Sequence, residues 1–565
     1  MAVSKEITSD IDLVEYYFER GFTDGLPVVP PTQEKIDQIV AILGGDPSFV
    51  EAKVAPRWGE LTREVLAINM VMAGCKPEYA PIVRAAMLAL TDQAFNLNGV
   101  QATTHVASPL LIVNGPIAQE IGMNGGVNAF GSGNRANATI GRAIRLIMLN
   151  VGGGWPGDLD KSTLGHPGKY TYCVAENEAQ SPFAPYHVEH GYKPEDSTVF
   201  VMAAEAPHSV TNHISNDPEG ILDTMCSAMS TIASNSAVLG GHIAVVIGLE
   251  HAQTIAKYGW SRSDIRHYLF HNHGNKFIDL AYGHRYGKVY NRNIPKYFKR
   301  EDDSLIPIIH SPDNIHLFVM GGEAGRFSAL IPGWGHMSTP VHKPIDGLSS
   351  SSGESDCATG TCAPYKNISK RTIMLMKTDE NVVVYDPRGV IRFDTLPTSE
   401  RKKQLNGLRL GVLDNSKWNA NKILRGAVTA LSEDVEFSQI NYYVKHSFSK
   451  DAAPELIKKI ASECDIVLTA IGDCGSCCSA CIRDSIALEK LGIPCAVVIT
   501  TEFIRETELT RQAVGMKTLE PVVINHPVSS ITDDEVLQRV AQVRVQAQEV
   551  WLGTKAPLPI RVDLN

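Results

Sequence analysis

Nowhere in this chain do Lys and Arg gather into a basic run, and the formal net charge is −10. Phosphate backbones are held by clustered cations, so no nucleic-acid partner is expected. A solvated acidic surface is the plain reading. The chain also lacks any apolar stretch of about eighteen residues, so no membrane span is expected. Its start, MAVSKEITSDIDLVEYYFERGF, has no apolar core of the kind a secretory signal needs. Nor is there the even, spread set of cysteines that marks a secreted disulfide scaffold. The eleven cysteines are an odd number, and four of them fall between positions 474 and 481. These absences together predict a cytoplasmic protein whose cysteines do chemistry.

What is present fits an ordinary globular chain, 44% hydrophobic and 20% charged. At 565 residues it is too long for one core, and about two to four domains are expected. The clearest seam is 346–366, DGLSSSSGESDCATGTCAPYK, which reads as a linker or mobile loop. Residues 1–345 before it read as a large α/β or α+β domain that binds substrate. Residues 367–565 after it open on strand-like pieces, Thr372–Met376 and Asn381–Tyr385. A regular alternation follows. Leu408–Leu413, Glu436–Val444, Asp465–Ile471, Pro494–Thr500 and Pro521–Ile524 read as strands. Helices are expected after an Asn415 or Ser416 cap, over Pro454–Glu463, from Cys478 to Leu491, and over Asp533–Leu552. Apolar strands alternating with amphipathic helices mean a parallel sheet covered on both faces. The expected form is a flavodoxin-like, doubly wound domain with strand order 2-1-3-4-5. Such sheets bind ligands beyond the carboxyl ends of their strands, where the order reverses. That point falls between the first and third strands, at Asp414-Asn415-Ser416-Lys417 and Gly472-Asp473-Cys474.

The working feature is Cys474-Gly475-Ser476-Cys477-Cys478-Ser479-Ala480-Cys481, two Cys-x-x-Cys pairs side by side. At a helix start the first sulfur meets unpaired backbone N–H groups and the positive end of the helix dipole, which favour a thiolate. Gly475 and Ser476 are small and leave Cys474 open to approach. Cys477 can then resolve an adduct on Cys474. Inert burial accounts for Cys75, Cys173, Cys226, Cys464 and Cys495. It does not account for four cysteines at one loop–helix junction. A metal site, zinc, copper or iron–sulfur, with Cys474, Cys477, Cys478 and Cys481 as ligands and Cys357 or Cys362 as helpers, stays open as the alternative.

At Gly472-Asp473-Cys474-Gly475-Ser476-Cys477 the chain resembles the UGSC-motif family, in which selenocysteine can stand at the position of Cys474. The resemblance extends to Leu413-Asp414-Asn415-Ser416-Lys417, Glu489-Lys490-Leu491-Gly492-Ile493-Pro494, Thr501-Glu502-Phe503 and His526-Pro527. It covers about residues 408–530. Gly25-Leu26-Pro27-Val28-Val29-Pro30-Pro31 and Gly99-Val100-Gln101-Ala102-Thr103-Thr104-His105 are similar to the partner region of long members. A more distant similarity is to the selenoprotein component of glycine, sarcosine and betaine reductases. It implies attack by Cys474 on an activated carbon–heteroatom bond, followed by reduction. Cys478 and Cys481 lie beyond the core signature.

The expectation is therefore a thiol-dependent enzyme, an oxidoreductase, sulfur-transfer enzyme or lyase, acting on a small organic molecule. Cys474 would be the nucleophile, Cys477 the resolving thiol, and His526 and Glu502 acid–base partners. Asp414, Asn415, Ser416, Thr500 and Thr501 would meet substrate from the strand ends. Arg135, at the Gly131-Ser132-Gly133 turn, and His105 would add contacts from the N-terminal region. His267 and His271, four residues apart, could share one helical face as metal ligands, although no HExxH pattern is present. The cofactor is open, a thiol or protein reductant is a possible partner, and a homodimer is the base-rate assembly.

Overall fold

The computed structural model describes residues 4–8, 12–231, 234–280, 299–346, 381–392, 394–417, 419–529 and 531–558. Nearly all of the expected linker, the Thr372–Met376 strand, Cys357 and Cys362 lie outside these residues.

The N-terminal region is mixed α/β. One four-stranded sheet runs in the order Val341–Pro344, Thr198–Ala204, Ser108–Asn114, Cys173–Ala175. A second runs Ile315–Met320, Ile243–Gly248, Phe327–Pro332, His208–Thr211. Each contains both parallel and antiparallel pairs. Successive side chains on a strand point to opposite faces. Leu110 and Ile112 thus share a core with Phe200, Val246 and Phe318 of both sheets. Leu111 and Val113 face the other way, onto the helices Arg63–Ala73, Ala80–Leu90 and Arg135–Asn150. The second sheet turns Val245 and Leu317 toward Pro218–Met229 and Arg262–Asn272 in the same manner. Four layers result, helix–sheet–sheet–helix, and the central strands are apolar throughout because neither face meets water. Strand Asn381–Tyr385 pairs antiparallel with Ser4–Thr8, and Tyr385 is buried in the N-terminal core.

The C-terminal sheet has five parallel strands: β1 (Arg409–Asp414), β2 (Gln439–Val444), β3 (Ile466–Gly472), β4 (Cys495–Thr500) and β5 (Val522–Ile524). Their order is β2-β1-β3-β4-β5, with each neighbouring pair parallel. The alternating helices are α1 (Ala420–Leu431), α2 (Pro454–Glu463), α3 (Gly475–Lys490), α4 (Ile504–Ala513) and α5 (Asp533–Leu552). Ile423, Leu424, Val540 and Val543, from α1 and α5, pack with Leu410, Val412 and Leu468 on one face. Ile457, Ile460 and Leu488, from α2 and α3, pack with Leu413 and Val467 on the other.

Two local expectations are corrected. Neither Asn415 nor Ser416 caps α1, which follows Asn419 in a left-handed conformation (φ 57°) without a side-chain cap bond. The backbone first turns at Asp414, whose Oδ1 accepts from the Ser416 N–H at 2.8 Å. Helix α3 begins at Gly475 rather than at Cys478, for a reason that lies in the site itself. Among the described residues no helix is long and apolar enough to cross a membrane.

Candidate active site

Strand β3 delivers the chain to the carboxyl edge of the sheet, and the cysteine turn follows at once. Cys474 is the N-cap of α3, with extended backbone at φ −156°. Its sulfur accepts from the Cys477 N–H at 3.4 Å, and the Cys477 sulfur accepts from the Cys474 N–H at 2.9 Å. This is a capping box built from two thiols, and it winds the helix from Gly475 onward. Gly472 is needed because a Cβ there would stand 2.9 Å from Cys478 Cα, where the strand passes under the helix. Gly475 is needed because a Cβ there would stand 1.8 Å from the carbonyl oxygen of Ala102. The segment Leu97–Ala102 of the N-terminal region thus roofs the turn. Asn98 Nδ2 also donates to Ser479 Oγ at 2.5 Å.

The sulfur of Cys474 lies 2.8 Å from that of Cys477, 3.4 Å from Ser476 Oγ and 3.6 Å from Lys417 Nζ. The hydrogen bond shared with the Cys477 thiol holds the Cys474 thiol well down, to about 5, against the opposing pull of burial. The Lys417 charge, the Ser476 hydroxyl and the Cys477 N–H add to the lowering. Burial and the adjacent Cys474 thiolate push Cys477 well above the ordinary thiol range. The pair therefore carries one negative charge on Cys474 and one proton on Cys477. Lys417 is itself pulled down by burial, but the charges of Cys474 and Asp473 win and keep it protonated. Its ammonium sits 4.5 Å from the centre of the Phe448 ring.

Helical spacing brings all four clustered cysteines into one buried group, yet their partners diverge. Cys478 Sγ is 3.1 Å from Thr507 Oγ1 and 3.6 Å from the Phe503 carbonyl on the α4 side. Cys481 Sγ accepts from Asn415 Nδ2 at 3.2 Å on the β1 side. Burial raises both thiols, Cys481 to about 12. Among the described residues, no group of three or more His, Cys, Asp or Glu side chains is arranged to hold a metal ion. His267 and His271 do share the helix Arg262–Asn272, where His267 Nδ1 bonds the Ser263 carbonyl at 2.8 Å.

His526 follows β5, and its Nδ1 is 3.0 Å from Asp473 Oδ1 and 3.1 Å from Thr500 Oγ1. Ser529 Oγ donates to Asp473 Oδ2 at 2.9 Å. The histidine thus lies within ion-pair distance of the residue next to Cys474. Thr500 also donates to the Gly472 carbonyl at 3.4 Å, and Thr501 Oγ1 accepts from the His526 N–H at 3.4 Å. Asn415 is fully buried and bonds the Ile471 carbonyl at 3.0 Å, so it fastens β1 to β3 just before the turn. Ser416 Oγ donates to the Lys445 carbonyl, and Asp414 accepts from Asn421. Glu502 is exposed in the short turn Thr501–Phe503 and makes no cap bond to α4. Away from the turn, Arg135 donates to the Gly74 carbonyl. His105 Nε2 lies 3.0 Å from Glu205 Oε1.

Three groups at the turn were not read as site residues from the sequence: Lys417, Asp473 and Ser529. Lys417 could have been found, since it ends the strand-end run Asp414-Asn415-Ser416-Lys417 opposite the cysteine turn. Asp473 adjoins Cys474 in the motif. Ser529 carries no sequence signal.

Comparison with known proteins agrees with the motif. No curated protein matches the chain. Among solved structures, a short-chain flavodoxin associated with a non-canonical PDU bacterial microcompartment aligns at 12% identity and a TM-score of 0.16. That alignment covers 25% of this chain and 99% of that one. Residues 383–553, which hold the C-terminal sheet and the cysteine turn, match the UGSC family model. The likeness to the UGSC family thus lies in the C-terminal part of the chain, where the cysteine turn stands.

Proposed function

We propose that the protein is a thiol-dependent enzyme in which Cys474 is the nucleophile and Cys477 the resolving thiol. The observation that carries this reading is the donor set around one sulfur: the Cys477 thiol and N–H, the Ser476 hydroxyl and the Lys417 ammonium. A buried sulfur with this many donors is stabilised as the thiolate, the reactive form of cysteine. In the proposed reaction the thiolate attacks an activated carbon of a small organic substrate and forms a carbon–sulfur bond. The heteroatom leaves with its electron pair and takes a proton. Cys477 then attacks the Cys474 sulfur, which closes a disulfide and releases the carbon with a proton. The carbon is reduced by two electrons, the thiol pair is oxidised by two, and an external thiol or dithiol reduces it again.

His526, oriented by Asp473, is the proposed proton donor to the leaving group. The C-terminal domain is read as flavodoxin-like from its strand order, with chemistry at the switch point between β1 and β3. A reducing, cytoplasmic setting would keep both thiols available. The test is thiol labelling at pH 6 with a haloacetamide, mapped by peptide mass. Fast labelling confined to Cys474, and its loss in Cys474→Ser, is the expected result. Equal labelling of several cysteines would overturn the reading.

A further inference from the structure

A cavity of about 580 Å³ opens between the N-terminal region and the C-terminal sheet. Its walls come from both: Lys53, Trp58, Leu97 and Asn98 from the first, Lys450 and Arg483 from the second. Two carboxylates also line it, and each has a cation. Asp451 lies 2.7 Å from Arg483, and Asp92 lies 3.0 Å from Lys343. Lys53 and Lys450 have no side-chain hydrogen bond or ion pair among the described residues.

Three further polar atoms here are buried without a partner: Trp58 Nε1, Arg483 Nη1 and Asn98 Oδ1. Asn98 is only 5% exposed and spends its amide N–H on Ser479, which leaves its oxygen unpaired. Buried polar groups are costly unless something supplies the missing bond. Trp58 moreover holds a left-handed backbone, φ 59°, which is rare for a bulky residue and sets its indole at the wall. Two free ammonium groups, an indole N–H and a guanidinium N–H, beside the apolar Leu97 and Trp58, complement an oxyanion carried on an apolar body.

We propose that this cavity binds a small organic carboxylate across the junction of the two regions. Lys53, Lys450 and Arg483 hold the carboxylate, and the Trp58 indole lies against the body of the ligand. Arg483 is nine residues beyond Cys474, about 13 Å along the helix axis. The carboxylate-binding end of the cavity therefore lies away from the sulfur pair, and the proposal does not depend on the thiol reading.

Calorimetric titration of the full-length protein with benzoate, benzamide and inorganic phosphate tests the proposal. Benzoate is expected to bind, its neutral analogue benzamide and bare phosphate at least about tenfold more weakly. Lys450→Met and Lys53→Met, both at positions that are not fully buried, should each weaken benzoate about tenfold or more. Trp58→Phe should remove the fluorescence change on binding. Cys474→Ser should bind benzoate as the wild type does. No benzoate binding, equal binding of benzoate and benzamide, phosphate binding as tightly as benzoate, or full affinity in folded Lys450→Met would each overturn it.

Discussion

Helix α3 carries two cysteine pairs of identical spacing, four residues apart, and their surroundings give them opposite character. At the first, Cys474 sits where the helix leaves backbone N–H groups unpaired, with Lys417 beside it. It is held as a thiolate, at about 5. At the second, the N–H groups are spent within the helix. Cys478 meets Thr507 and the Phe503 carbonyl, and Cys481 meets the amide of Asn415. Both stay protonated. Burial is the same for all four, 3% exposed or less. Desolvation alone therefore does not decide reactivity. The hydrogen bond with the Cys477 thiol, one buried cation and the free end of the helix do.

The strongest way to break this comparison is to exchange the nucleophile. In Cys474→Ser, haloacetamide labelling at neutral pH should fall by at least about a thousandfold, since no other clustered thiol is ionised there. Labelling followed by peptide mapping checks this.

Stability should carry the same signature. The folded Cys474 value, about 5, lies below its free value of 9.0. Its thiolate therefore contributes stability that is complete above about pH 9 and is lost as pH falls toward 5. Cys477 is raised, so its share is present below about pH 9 and is lost above it. Chemical denaturation from pH 5 to 9 should show wild-type stability rising by a few kcal/mol relative to Cys474→Ser.

Lys417→Met sharpens the contrast by removing only the cation. The labelling midpoint of Cys474 should move up toward the ordinary thiol range, with about a tenfold or greater loss of rate at pH 6. A pH–rate profile reads this directly. The smallest effect belongs to the second pair. Cys478→Ser and Cys481→Ser should leave the labelling rate of Cys474 within about twofold, as measured by the same assay.

The contrast also marks how far the sequence could be read. Strands β1 to β5 fall within about three residues of the runs that announce them, and the buried β1, β3 and β4 have no polar alternation to blur them. Their order follows the alternation with helices. The four layers of the N-terminal region were not legible. Ser108–Asn114 pairs with Cys173–Ala175 on one side and Thr198–Ala204 on the other, and nothing local encodes that choice. At the site, the spacing of Cys474 and Cys477 was legible, whereas the divergence of Cys478 and Cys481 was not. It depends on Thr507 and Asn415, which the fold brings from other elements. Lys417 reaches Cys474 from 57 positions away for the same reason.

The central claim is that Cys474 is a thiolate at neutral pH. The most direct measurement is a pH titration of thiolate ultraviolet absorbance, taken as the difference between wild type and Cys474→Ser. The account predicts one ionisation with a midpoint near 5. A midpoint at or above the ordinary thiol value of about 8.5 would contradict it.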